Sequence, residues 1–140
     1  MDVDKVLECL NKAVALQRRS VLELTTASAS MFGLENQGVA TQLWDFAKAE
    51  LDDLRRLIEK ITALGGDPGT DAAKTTWTSD PKQTFEQLIE HETETLEALH
   101  GVIPHSGQEA RSEALEHLME HIIMRKQNQV DFLARAIREP

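Results

Sequence analysis

Along four stretches of the chain, apolar residues recur at intervals of three and four, the spacing that lines one face of an α-helix. The first stretch starts from Asp2 as N-cap and carries Val3, Val6, Leu7, Leu10, Val14, Val21, Leu24 and Met31 before a stop near Gly33. After a short link holding Asn36 and Gly38, the second carries Leu43, Phe46, Ala47, Leu54, Leu57, Ile58, Ile61 and Leu64. Gly65-Gly66-Asp67-Pro68 closes it, because glycine accepts a left-handed cap and proline cannot continue a helix. From Asp67 to Ser79 the residues are mostly small or polar and the period disappears. Asp80-Pro81-Lys82-Gln83 then reads as an N-cap, a proline at the first helical position and a capping-box glutamine, opening a third helix to about Ile103. Pro104 stops that helix, and Ser106-Gly107-Gln108-Glu109 is a second capping box, opening a helix to about Arg138.

No alternating run bounded by turn residues competes with these helices, so the pattern predicts an all-α fold. Short links join the first pair and the second pair, and only the middle segment is long enough to cross the length of a bundle. The expected architecture is an up-down-down-up four-helix bundle with a long crossover between helices 2 and 3, formed as a single domain over residues 1–140.

Each apolar stripe is interrupted near its middle by a charged or amide residue. The clearest cases are Glu50 within Phe46, Ala47, Leu54 and Leu57, and Glu92 within Phe85, Ile89, Leu96 and Leu99. A charge on a core face is costly unless it is paired, so several at matching depth point to a built polar layer. Residues three apart share a helix face, which groups Glu50 with Asp53 and Lys126 with Gln129; Glu23 lies at the edge of the first stripe. The result is a carboxylate cage with a cationic corner. Oxygen donors of this kind suit hard metals, whereas a protonated lysine only donates and repels them.

With that layer, the chain resembles the ferritin-like, bacterioferritin-like four-helix bundles. These supply a Glu from each of two helices and a Glu-x-x-His from each of the other two, and their crossover also lies between helices 2 and 3. Leu22-Glu23-Leu24-Thr25 is similar to the first-helix segment, Glu50-Leu51-Asp52-Asp53 stands where the first Glu-x-x-His belongs, and Glu92 falls at the third-helix position. Leu57 to Pro68 is similar to the close of the second helix. Lys126-Gln127-Asn128-Gln129, followed by Val130-Asp131-Phe132-Leu133, matches the fourth-helix segment. Asp53 and Gln129 replace the two histidines and Lys126 the bridging glutamate, so three family ligands are altered. The resemblance implies a metal site of Glu23, Glu50, Asp53, Glu92 and Gln129, degenerate enough for at most weak or single-metal binding of iron or manganese rather than efficient ferroxidase chemistry. A metal-free layer is the competing expectation: Lys126 pairs with Glu50 or Glu23, and Gln129 donates to another carboxylate. In that case the protein is an adaptor or assembly subunit acting through its surface, or a small-molecule binder between the helices.

Composition narrows the remaining choices. Fifteen Lys+Arg against 24 Asp+Glu give a net charge of -9 with no basic cluster, which argues against a nucleic-acid partner. No apolar run approaches the roughly 20 residues of a membrane span. One cysteine, Cys9, and no basic-then-apolar leader point to the cytoplasm. Tyrosine is absent, which excludes radical chemistry through a tyrosyl side chain. His117-Leu118-Met119-Glu120-His121 matches the H-x-x-E-H of inverted zinc peptidases, but Leu115, Leu118 and Ile122 define the buried stripe and place both histidines beside it. Met31, Met119 and Met124 sit at packing intervals and imply no haem. Trp44 lies off its stripe, and a homo-oligomer, a dimer, is expected to cover it.

Overall fold

The computed structural model describes residues 1–140 and contains four long helices and no strand. These are α1 (Val3–Ser30), α2 (Gln37–Ala63), α3 (Pro81–His100) and α4 (Ala110–Ile137). No helix is long and apolar enough to cross a membrane. Asp2 caps α1 as expected, its carboxylate accepting from the Lys5 backbone N–H at 3.2 Å. Gly65, with φ +85°, lets the chain turn out of α2: its N–H bonds the Thr62 carbonyl while Gly66 N–H reaches back to Ile61. That pairing satisfies the last carbonyls of the helix.

The two expected capping boxes are replaced by other arrangements. Asp80 precedes α3 but its side chain caps nothing; the Thr78 hydroxyl accepts from Asp80 N–H and donates to Gln83 Oε1, both at 3.2 Å. Helix α3 ends at His100, short of Ile103, and a single tight turn at Ile103–His105 follows. Ser106 lies outside α4, donating to the Ile103 carbonyl at 2.7 Å, and Glu109 stands at the N-cap. The Glu109 carboxylate turns to the amino group of Met1 at 2.5 Å, and that bond holds it below the usual carboxylate range.

The crossover, residues 64–80, traces the topology. Asn11 holds Gly69 and Asp67, Arg18 donates to the Asp71 carbonyl, Ala73 N–H bonds the Ala15 carbonyl, and Trp77 Nε1 donates to Ser30. The segment therefore runs along α1 from its start to its end. Helix α3 then returns antiparallel to α1, until Asp2 N–H meets the His105 carbonyl. Helices α2 and α3 point the same way, which is the up-down-down-up order.

Two apolar clusters fill the bundle. One, at the Met1 end, centres on Val6, Leu10, Val14, Leu57, Ile61, Leu99, Leu115, Met119 and Ile122. The other packs Leu24, Ala27, Leu43, Ala47, Phe85, Leu88 and Leu133. Between them lie Gln17, Ser20, Glu50, Asp53, Glu92, Thr95, Lys126 and Gln129, all buried. The polar layer is real, and it divides the core.

Candidate functional site

At the centre of the layer is the Lys126 ammonium. Its side chain is fully buried, and Nζ donates to Glu50 Oε2 and to Glu92 Oε2, each at 2.5 Å. A longer contact of 3.4 Å reaches Ser20 Oγ. From α1, Gln17 Nε2 donates to the Glu50 backbone carbonyl at 2.9 Å and also to Glu50 Oε2. All four helices thus contribute: α1 an amide and a hydroxyl, α2 and α3 one carboxylate each, and α4 the cation.

The electrostatics follow from that geometry. Burial alone would lower the lysine's pKa, but the charges of Glu92 and Glu50 and their hydrogen bonds outweigh it and raise it, so the ammonium is held charged. Burial raises the Glu50 carboxyl, with Glu92 adding to the rise and Lys126 only partly offsetting it. One cation against two carboxylates leaves the centre with a surplus negative charge. Four buried acceptors also lack a donor: Glu50 Oε1, Glu92 Oε1, Gln17 Oε1 and Gln129 Oε1. The layer is rich in acceptors and short of protons.

Asp53 is buried at the border of the layer, where it meets Arg125 rather than Lys126, with Nη2 at 2.5 Å from Oδ1 and Nε at 3.2 Å from Oδ2. This two-point pair raises the pKa of the guanidinium against its burial. Gln129 is buried as expected, but it donates to no carboxylate. Glu23 stands apart. Six positions beyond Gln17 on α1, it accepts from His91 Nδ1 at 2.7 Å and faces Arg19 Nε at 3.4 Å; it makes no contact with Lys126. Of the two partners expected for Lys126, Glu50 is the one it meets, and Glu92 is the second carboxylate in place of Glu23.

Gln17, Ser20, Arg125 and His91 are the residues that sequence reasoning passed over. A signal existed for Gln17, which stands seven positions from both Leu10 and Leu24 on the α1 core face and is fully buried. His117 and His121 lie exposed on α4, outside its buried face, as their spacing implied.

The ferritin-like domain model of the ferritin family matches residues 7–139. The chain belongs to the ferritin-like family. Comparison with curated protein sequences finds no match. Among solved structures, a ferritin-like diiron-carboxylate protein from Bacillus anthracis superposes with a TM-score of 0.91 at 22% identity, covering 99% of each chain. A DPS protein from Vibrio cholerae, of the same diiron-carboxylate superfamily, gives 0.87 at 16% identity over 98% of this chain and 91% of that one. The bacterioferritin of Desulfovibrio desulfuricans, which has a diiron site, gives 0.86 at 23% identity over 96% and 79%. At these identities the likeness establishes the ferritin-like fold.

Proposed function

We propose that this ferritin-like protein has a degenerate core site held by an internal cation, with no efficient ferroxidase activity, and that it works as a subunit of a homo-oligomer. One observation carries the reading: Lys126 Nζ lies 2.5 Å from both Glu50 and Glu92, where it binds the two carboxylates together. An ammonium can only donate, and its charge opposes any metal brought beside it. The remaining donors do not fit a pair of metals either. Asp53 is bound on both oxygens by Arg125, α1 offers the amide of Gln17, and Gln129 brings an amide where imidazole nitrogen would suit iron. With Lys126 in place, the oxygens of Glu50 and Glu92 that lack a donor are the carboxylate oxygens left for a cation, so weak binding of a single iron or manganese is the upper bound of this reading.

The outer surface supports action by assembly. Leu22 on α1 and Leu51 on α2 are about half exposed, Trp44 nearly so, and Phe32 and Leu34 stand out at the α1–α2 turn. We take the oligomer to be a dimer and its location to be cytoplasmic. Anaerobic Fe(II) titration followed by exposure to oxygen, together with mass in solution, tests the reading. Expected are at most one weakly bound iron per chain, slow oxidation and a mass above that of one chain. Two tightly bound irons oxidised rapidly would overturn it.

A further inference from the structure

The crossover does more than connect α2 to α3. Opposite Leu22, Thr26 and Leu88 it roofs a pocket of about 210 Å³, with Trp77 as one wall and Glu23 in its lining. The roof is pinned at both ends of this stretch: Trp77 Nε1 donates to Ser30 Oγ at 3.2 Å, and Gln87 Nε2 donates to Thr75 Oγ1 and the Thr76 carbonyl at 3.0 and 3.1 Å. Glu23 is more than nine-tenths buried, and its Oε1 is engaged by His91 and Arg19. Its other oxygen, Oε2, has no partner in the protein. Beside it, the Arg19 guanidinium is shared between Glu23 and Glu94.

We propose that this pocket binds a small organic ammonium with an apolar body, the ammonium donating to Glu23 Oε2 and the body lying against Trp77, Leu22 and Leu88. Each part of that ligand answers something in the pocket. The unpartnered carboxylate oxygen asks for a donor, and a charged donor makes the stronger hydrogen bond to a carboxylate. Indole and leucine side chains give up water favourably to an apolar group, and an indole face also attracts a cation. Burial raises the Glu23 carboxyl above its usual range, against the pull of His91 and Arg19, so a bound cation would relieve a cost the folded chain already carries. Threonine side chains and Gln87 complete the lining, and Thr75, Thr76 and Gln87 also line a neighbouring hollow with Lys74 and His91. The Lys126 layer takes no part in this site, and the proposal stands whatever that layer binds.

The test uses the full chain carrying Trp44→Phe, which leaves Trp77 as its only indole and thus as a reporter in the pocket wall. Titration with 2-phenylethylamine at neutral pH is expected to give a saturable change in Trp77 emission, and 2-phenylethanol to bind about tenfold more weakly or worse. Glu23→Gln on the same background, with its helical circular dichroism unchanged, is expected to lose that preference. The amine-to-alcohol comparison needs no further variant, so it decides the matter even if Glu23→Gln does not fold. Absence of saturation with the amine, equal affinity for the alcohol, or an undiminished preference in a folded Glu23→Gln protein would each overturn the proposal.

Discussion

Lys126→Met removes the charge at the centre of the layer and keeps most of the volume, so it isolates the electrostatic role of the lysine. Breaking a buried ion pair from one side typically costs roughly 3–5 kcal/mol. Here the geometry provides a route by which that cost depends on pH. With the ammonium gone, Glu50 and Glu92 face one another in a dry core, and at least one takes up a proton. In the unfolded chain that carboxyl ionises at its ordinary value of 4.5, about 2.5 units below pH 7, so keeping it protonated in the fold at pH 7 costs roughly 3.4 kcal/mol. At pH 5 the same penalty falls to roughly 0.7 kcal/mol. The sign is fixed: a group whose folded pKa is raised binds more protons in the folded state, so stability is lost as pH rises from the unfolded value through the folded one. Because Glu50 is already raised in the wild type, part of this slope is shared, and the difference between the two proteins is expected to shrink by at least about 1 kcal/mol from pH 7 to pH 5. On the alkaline side, the wild type's advantage is complete below 10.5, the ordinary lysine value, and is lost as pH rises through the higher folded value. Urea unfolding at pH 5, 7 and above about 10.5 measures all three. Lys48→Met is the control: that lysine is more than half exposed beside Asp45, and its loss is expected to change stability by less than about 0.5 kcal/mol. A Lys126→Met penalty below about 1 kcal/mol at pH 7, or one of the same size at pH 5, would refute the buried clamp.

Two further predictions address the layer and its frame. The fourfold change Gln17→Glu, Asp53→His, Lys126→Glu, Gln129→His restores two Glu-x-x-His motifs and a carboxylate from α1, and is expected to increase Fe(II) affinity while lowering stability without metal; a folded variant with no gain in affinity shows that these side chains do not converge. Gly65→Ala, placed at φ +85° with open space around the added methyl, is expected to cost about 1 kcal/mol through the backbone alone, and an unchanged urea midpoint would show that the turn relaxes freely.

Most of the fold was legible because helix periodicity and chain stops are local properties. Leu10, Glu50, Glu92 and Lys126 each occupy the core face of their own helix, and that face can be counted from the sequence. The site was legible only in part, because partners across the bundle cannot be counted in this way. Arg125 precedes Lys126 and points about 100° around α4, far enough to reach Asp53 on α2. His91 precedes Glu92 and reaches Glu23 by the same offset. On α1 it is Gln17, not Glu23, that meets Glu50, and an amide on a core face carries no charge to mark it in the sequence. The capping boxes failed for a related reason. The residue pattern marked where α3 begins and set the α4 cap at Ser106 instead of Glu109, and Thr78 and Met1 offered the cap residues or their partners better bonds than the helix ends did.

Helix α1 serves two different environments from neighbouring faces. Gln17, Ser20 and Leu24 follow the core face, while Arg19 and Glu23, four apart, lie roughly 100° to one side and meet α3 and the crossover. The two sets differ in access. Lys126, Glu50 and Glu92 are sealed between two apolar clusters, where the two carboxylates share one ammonium. Glu23 is buried less completely than these three, and it lines a pocket that opens to the surface. A ligand exchanging with solvent meets the second set without unpacking the bundle, whereas reaching the first requires moving a core helix or displacing the ammonium. With the Lys126 side chain at the centre of the core layer, a ligand that exchanges with solvent has its open route at the flank of α1 and on the outer surface.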